Sequence, residues 1–281
     1  MEVEMGTVRQ PAVAGTFYPA DPRVLAPMIL DFLDAARADV RPDAPAPKAI
    51  VAPHAGYVYS GSTAALAYAR AERRRDEVSR VVLLGPCHRV YTRGLATPGA
   101  RTFRTPLGDV PISAAADDLP GVERRPDVHR DEHSLEVHVP FLQTVLGDFE
   151  LVPLAVGDAE PALTADVLEA LWGGPETLIV VSTDLSHYLP YDDARETDAA
   201  TIDQVLSLGV PIDHRRACGA SPLNGLLEAC RRRGLRPELL GACNSGDTAG
   251  DLRRVVGYAS FEVAEPRHEE QEAARPAEEA S

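Results

Sequence analysis

The sequence predicts a single α/β domain with a central mixed, largely parallel β-sheet flanked by helices on both faces. Three observations lead there. Short apolar runs alternate with amphipathic stretches of helical period from residue 22 to residue 263. Strands that are apolar on both faces need helical crossovers to join them in parallel and to cover them. No Pro/Ser-rich linker or internal repeat divides the chain, so residues 1–263 read as one domain although 281 residues could fill two.

The elements follow in order. "DPRVLAPMILDFLDAARADV" puts Val24, Leu25, Met28, Ile29, Phe32 and Leu33 on one stripe behind an Asp-Pro start, which predicts a helix. The prolines of "RPDAPAPK" end it, and "AIVAP" is a short buried strand. "STAALAYARAERRR" reads as helix and "RVVLLGP" as strand; "TFRTPLGDVPI" has the turn chemistry of a hairpin that decorates the sheet. "RRPDVHRDEH" is too polar for a core and predicts an exposed loop. It leads to "SLEVHVPFLQTVL", a helix interrupted at Pro140. "FELVPLAVG" (strand), "EPALTADVLEALW" (helix) and "TLIVVSTD" (strand) continue the alternation. "DDARETDAATIDQVLSL" and "PLNGLLEACRRRG" are helices, and "PELLGACN" and "RVVGYASFEV" close the sheet.

Charge narrows the function. The excess of 43 Asp+Glu over 28 Lys+Arg gives a net charge of −15, the wrong sign for binding nucleic acid or an anionic membrane surface. Some of that charge lies in residues 264–281, which contain no aliphatic or aromatic side chain larger than alanine and read as an acidic disordered tail. Cys87, Cys218, Cys230 and Cys243 are widely spaced, with no C-x-x-C pair. That argues against a disulfide scaffold or zinc knuckle and for a reducing compartment. With no signal-like N-terminal segment and no membrane-length apolar run, the expectation is a soluble, cytoplasmic protein.

In open α/β sheets the ligand crevice lies beyond the carboxyl ends of the strands. Three predicted strands deliver a histidine there: "AIVAP" is followed by His54, "VVLLGP" by Cys87 and His88, and "LIVVST" by Asp184 and His187. One histidine at a strand end is usually a structural group; three at one edge point to a metal site, to proton transfer, or to both. His129 and His133 are one helical turn apart, but Arg130 stands where a zincin helix needs glutamate. Glu136 and His138 are read as orienting or structural groups, Ser134 as a helix cap, and His133 as structural on the weakest ground. No G-x-S-x-G elbow supports a serine hydrolase, so Ser182 and Ser186 read as turn-supporting hydroxyls. No phosphate-cradling glycine motif is present either.

"AGTFYPADP", "APHAGYVYSG", "LLGPCH", "DEHSLEVHVPFLQ", "VSTDLSHY" and "ACGASPLNGLL" together resemble, in order and wording, the Memo-like family, whose prokaryotic branch is called AmmeMemoRadiSam system protein B. The resemblance spans about residues 8–263. It implies a fold like that of the class III extradiol dioxygenases, and metal ligands at His54, His88 and Cys218. Cys218 would stand where those dioxygenases have a carboxylate; a thiolate with two imidazoles accepts Fe(II), which is the first expectation, or Cu or Zn. The resemblance also implies His187 as acid/base, Asp184 as its support, and Phe17 and Tyr57 at the substrate cleft. Cys87, where relatives often carry serine, adds a thiol that could compete for soft metals, and Arg89 stands where some carry histidine. Cys230 and Cys243 match no ligand position and read as buried small hydrophobes.

Two functions follow as expectations. One is a metal-dependent, oxygenase-like redox enzyme acting on a small-molecule substrate. The other is a binding or adaptor module that uses the same cleft for a peptide or small anion. The family name adds a pathway link to radical-SAM and AMME-type proteins.

Overall fold

A computed structural model describes residues 8–38, 40 and 44–265. Strand β1 (Val8–Arg9) precedes helix α1 (Pro22–Arg37), β2 (Pro47–Ala52), α2 (Tyr57–Ala71) and β3 (Arg80–Pro86). Four short strands follow: β4 (Leu95–Thr97), β5 (Thr102–Thr105), β6 (Gly108–Pro111) and β7 (Val122–Arg124). Next come α3 (Pro126–Arg130), a 3-10 turn (Glu136–His138), α4 (Val139–Val145), β8 (Glu150–Val156), α5 (Pro161–Leu171) and β9 (Thr177–Ser182). The chain closes with β10 (His187–Leu189), α6 (Tyr191–Leu206), α7 (Ala220–Arg233), β11 (Pro237–Asn244), α8 (Ser245–Thr248) and β12 (Val255–Ala264).

The main sheet has nine strands in the order β10-β12-β2-β9-β3-β8-β4-β7, with β11 also paired to β12. Its centre, β2-β9-β3-β8, is parallel throughout. Both flanks turn antiparallel, at β12 against β2, β10 and β11 and at β4 against β8. The sheet is therefore mixed, as expected, but its parallel pairs are confined to the centre and to the β4–β7 edge, which corrects the expectation of a largely parallel one. On the first flank the reason is that β11 and β12 are joined by a short connection through α8, too short for a crossover, and so pair antiparallel. The predicted hairpin forms as β5 and β6; it joins β1 in a separate three-stranded sheet.

Alternation along the central strands builds two cores, because successive strand side chains point to opposite faces. Ile50, Val81, Leu83 and Val180 pack with Leu25, Ile29 and Leu33 of α1 and with residues of α2 and α4. Val51, Val82, Leu84 and Val181 pack on the other face with residues of α5 and α7. In α1 the buried line is Leu25, Ile29, Leu33 and Ala36; Val24, expected on that stripe, is 54% exposed because it lies one position off this i, i+4 row. Among the described residues no helix is long and apolar enough to cross a membrane. The last strand runs through Ala264, and residues 266–281 of the expected acidic tail lie outside the described residues.

The expected exposed loop before α4 holds only in part: Arg124, Pro126, Asp127, Arg130 and Asp131 are exposed, but the segment also turns inward. It contains α3, with Val128 and His129 buried, and Glu132 is only 1% exposed. Polarity misled because each of these groups has partners: the His129 Nε2–H donates to the Ala96 carbonyl at 2.7 Å, and Glu132 is saturated by donors described below. A buried polar group is tolerated when it is hydrogen-bonded.

Candidate metal centre

Register brings the predicted residues to one edge. Ala52 of β2 pairs with Ser182 of β9, and Leu84 of β3 pairs with Val181, so His54, His88 and Asp184 leave the sheet side by side. Cys218 reaches them from the loop before α7, docked on the end of β9. The Cys218 N–H donates to the Asp184 carbonyl at 3.3 Å, and the Gly219 N–H donates to Thr183 Oγ1 at 2.9 Å. Position 219 must be glycine for this approach: a Cβ there would lie 2.3 Å from the Ser182 carbonyl oxygen.

His54, His88 and Cys218 each offer one donor atom, and these atoms lie within 4.8 Å of one another. Cys218 Sγ is 3.3 Å from His54 Nε2, and the His54 and His88 rings are 5.1 Å apart at their centroids. Two donors bound to one ion at about 2.0–2.3 Å sit roughly 3–4 Å apart, so the spacing suits a shared ion with little movement. Cys87 falls outside that group; it lines a second hollow of ≈ 340 Å³ with Cys218 and His214, and burial pushes its thiol up to about 12.

Hydrogen bonds decide which ring nitrogens are free. The Ser182 hydroxyl donates to the Ser134 carbonyl at 2.6 Å, which uses its only proton. The two imidazole nitrogens that face its oxygen, His54 Nδ1 at 2.6 Å and His138 Nε2 at 2.8 Å, must therefore both be N–H donors. His138 Nδ1 in turn accepts from the Tyr68 hydroxyl at 2.7 Å. His54 Nε2 is left with its lone pair toward Cys218. His88 is fixed in the same way: its Nδ1–H donates to Glu132 Oε1 at 2.9 Å, which frees Nε2. Orienting an imidazole through its other nitrogen is how metal-binding histidines are usually held.

Burial sets the charges. It holds the His54 imidazole well below its usual range, reinforced by His88 and His133 nearby, so the ring is neutral. Burial alone would raise Glu132, but hydrogen bonds from His88 and from the Ser134 and His88 amides bring it down to about 2. The Cys218 thiol is pushed far above its ordinary value by burial and by the Asp184 carboxylate. Without a cation it stays S–H and donates to His54 Nε2; a bound cation would displace that proton.

Asp184 is 4% exposed; it accepts the His54 amide at 2.7 Å, and burial pushes it up to about 6. His187 donates its Nδ1–H to the Leu185 carbonyl at 2.8 Å, which leaves Nε2 as a proton acceptor. Asp184, His187 and Cys218 also bring donor atoms within 4.8 Å of one another. Beside them opens a hollow of ≈ 420 Å³, lined by Asp184, His187, His133 and Phe17. Phe17 packs on His133 at 4.6 Å between centroids.

Tyr57 does not share that position. It is 3% exposed, packs on Tyr18 and Phe141, and donates its hydroxyl to the Val137 carbonyl at 2.7 Å. Its place in the substrate set is corrected: as the first residue of α2 it points back into the core. Glu136 is structural, bound by Arg9, Tyr18 and two amides. Cys230 is buried as expected, but Cys243 is half-buried against Thr63 Oγ1 at 3.0 Å.

Three contributors escaped the sequence reading. Ser182, read as a turn hydroxyl, is the acceptor that fixes His54. Glu132 anchors His88 from 44 residues away. His133 stacks on His88 at 4.7 Å, and its Nδ1 is buried without a hydrogen bond. Only Glu132 left a signal, as an acid beside a histidine in "DEHS".

A family model described as "Memo-like protein" matches residues 9–262. A MEMO1 family protein of Methanosarcina barkeri is 37% identical over 273 residues, covering 91% of this chain and 100% of the relative. MEMO1 family proteins of Archaeoglobus fulgidus (34% over 269 residues; 90% and 98% covered) and Aquifex aeolicus (35% over 267 residues; 89% and 97%) are similar along the same span. A strand-edge donor cluster and a match of this length agree: the chain belongs to the Memo-like family.

Proposed function

We propose that the protein is a metal-dependent, oxygenase-like redox enzyme for a small substrate, with Fe(II), or alternatively Cu or Zn, held by His54, His88 and Cys218. The observation that carries this reading is the pair of imidazoles whose Nδ1 atoms are tied to Ser182 and Glu132, with a thiol 3.3 Å from one freed Nε2. Two neutral imidazoles and one thiol suit a borderline or soft first-row ion. When bound, such a metal supplies Lewis acidity and, as iron or copper, an electron.

The chain supplies the rest. His187 Nε2 accepts a proton from a substrate hydroxyl, while its Nδ1–H stays on Leu185. Asp184, within reach of His187, stabilises the imidazolium that results. Phe17 and His133 wall the hollow and keep water from the reacting end.

Protein purified without air and analysed for metals, with X-ray absorption to detect a sulfur ligand, should carry about one ion per chain. The His54→Ala, His88→Ala double variant should lose it; unchanged metal content would refute the site. Chelation separates this reading from a cleft that only binds: an enzyme loses O2 consumption with its metal, whereas a binding module keeps its ligand.

A further inference from the structure

The hollow beside His187 has walls that proton transfer does not use. Its ≈ 420 Å³ falls inside the roughly 300–1,000 Å³ range of small-molecule sites. Besides Phe17 it is lined by Tyr59, Tyr188 and Tyr258, so four aromatic rings surround it. Tyr188 has φ +61°, a conformation that bulky residues rarely adopt. There the β10–β12 register slips, with His187 opposite Val256 and Leu189 opposite Val255. His187 and Tyr188 meet edge to face at 5.7 Å, and the Tyr188 ring carries the Arg254 guanidinium 5.0 Å from its centroid.

Arg254 is the uncommitted charge. In a chain of net charge −15, it lines the hollow and forms no ion pair among the described residues. The nearest acid in sequence, Asp251, is bound by Arg253. Asp184 lies among the imidazoles, its carboxylate taken by the His54 amide. A cation lying over an aromatic ring, at the wall of an aromatic hollow, is placed to receive an anion that has a flat body. Guanidinium pairs with carboxylate through two parallel N–H bonds, and aryl rings prefer offset or edge contacts with other rings.

We propose that this hollow selects a small aromatic carboxylate, with the carboxylate on Arg254, the ring among Phe17, Tyr59 and Tyr188, and the opposite end toward His187. This names the substrate class of the proposed enzyme and rests on that reading for the chemistry at the far end. Binding itself is a property of the hollow and needs no metal.

Calorimetric titration of metal-free and metal-loaded protein with benzoate, phenylacetate and cinnamate tests it, with benzamide and acetate as controls. At least one aryl carboxylate should bind one per chain, and more tightly than either control. Arg254→Gln should weaken it about tenfold, the scale of one charge-assisted pair. Tyr188→Ala should weaken the acid and the amide alike, and the metal content of Arg254→Gln should equal that of the parent protein. Equal affinity for benzoate and benzamide, an Arg254→Gln variant that binds as the parent does, or no aryl carboxylate bound below about 10 mM would each overturn the assignment. If metal analysis finds no ion but binding still depends on Arg254, the enzyme reading fails and this one stands.

Discussion

Glu132 and Glu136 lie four residues apart in "DEHSLE", and both side chains are buried, at 1% and 0% exposure. They have opposite roles. Glu136 is closed off: its oxygens take the Arg9 guanidinium, the Tyr18 hydroxyl at 2.6 Å, and the Ala12 and Val13 amides at 2.7 and 2.9 Å. None of those partners keeps a donor atom directed at the candidate site. Glu132 also takes amides, but it grips His88 and leaves that ring's other nitrogen free beside His54 and Cys218. Burial of a charge therefore does not mark function in this molecule. What sets the candidate site apart is a partner with an uncommitted atom.

That contrast can be broken by substitution. The largest effect is expected from Glu136→Gln, which leaves Arg9 buried without its counter-charge; urea unfolding should show a loss of about 3–5 kcal/mol. Metal bound per folded chain should not change, and a fall in it would erase the distinction between the two acids. Ser182→Ala comes next, because it strips the acceptor from two buried N–H groups at once. A loss of about 1–3 kcal/mol is expected, together with weaker metal binding as His54 loses its orientation. Glu132→Gln should lower metal affinity by roughly 10–100-fold, measured by competition with a chelator, and should cost less stability than Glu136→Gln.

The smallest effect sharpens the same point through pH. His129 is buried on the closed side, and burial lowers it from 6.5 to about 4. The unfolded chain then binds the proton that the folded ring refuses, so stability is full above pH 6.5 and is lost as pH falls toward 4. Asp184, raised from 3.8 to about 6, acts in the opposite sense over part of that window, because its folded form binds the extra proton. The net fall in Tm of the metal-free protein between pH 6.5 and 4.5 should shrink in His129→Gln. An unchanged slope would show that His129 contributes nothing and that the fall belongs to His54, His133 and His138, which burial lowers as well.

The sequence by itself determined the alternating elements, the strand edge on which His54, His88 and Asp184 stand, and the family, because apolar period and strand-end position are local properties of the chain. It could not determine the direction of the outer strands, or that Val128, His129 and Glu132 of "RRPDVHRDEH" are buried, because polarity says nothing of whether a distant partner will satisfy it. Tyr57 shows the same gap: its motif suggested the cleft, and the first turn of α2 aims it at Phe141 instead. Only the tertiary structure decided which nitrogen of each imidazole is free. That choice is made by Ser182 and Glu132, 128 and 44 residues from the rings they hold, and a hydrogen bond across such separations exists only once the sheet has brought its ends together.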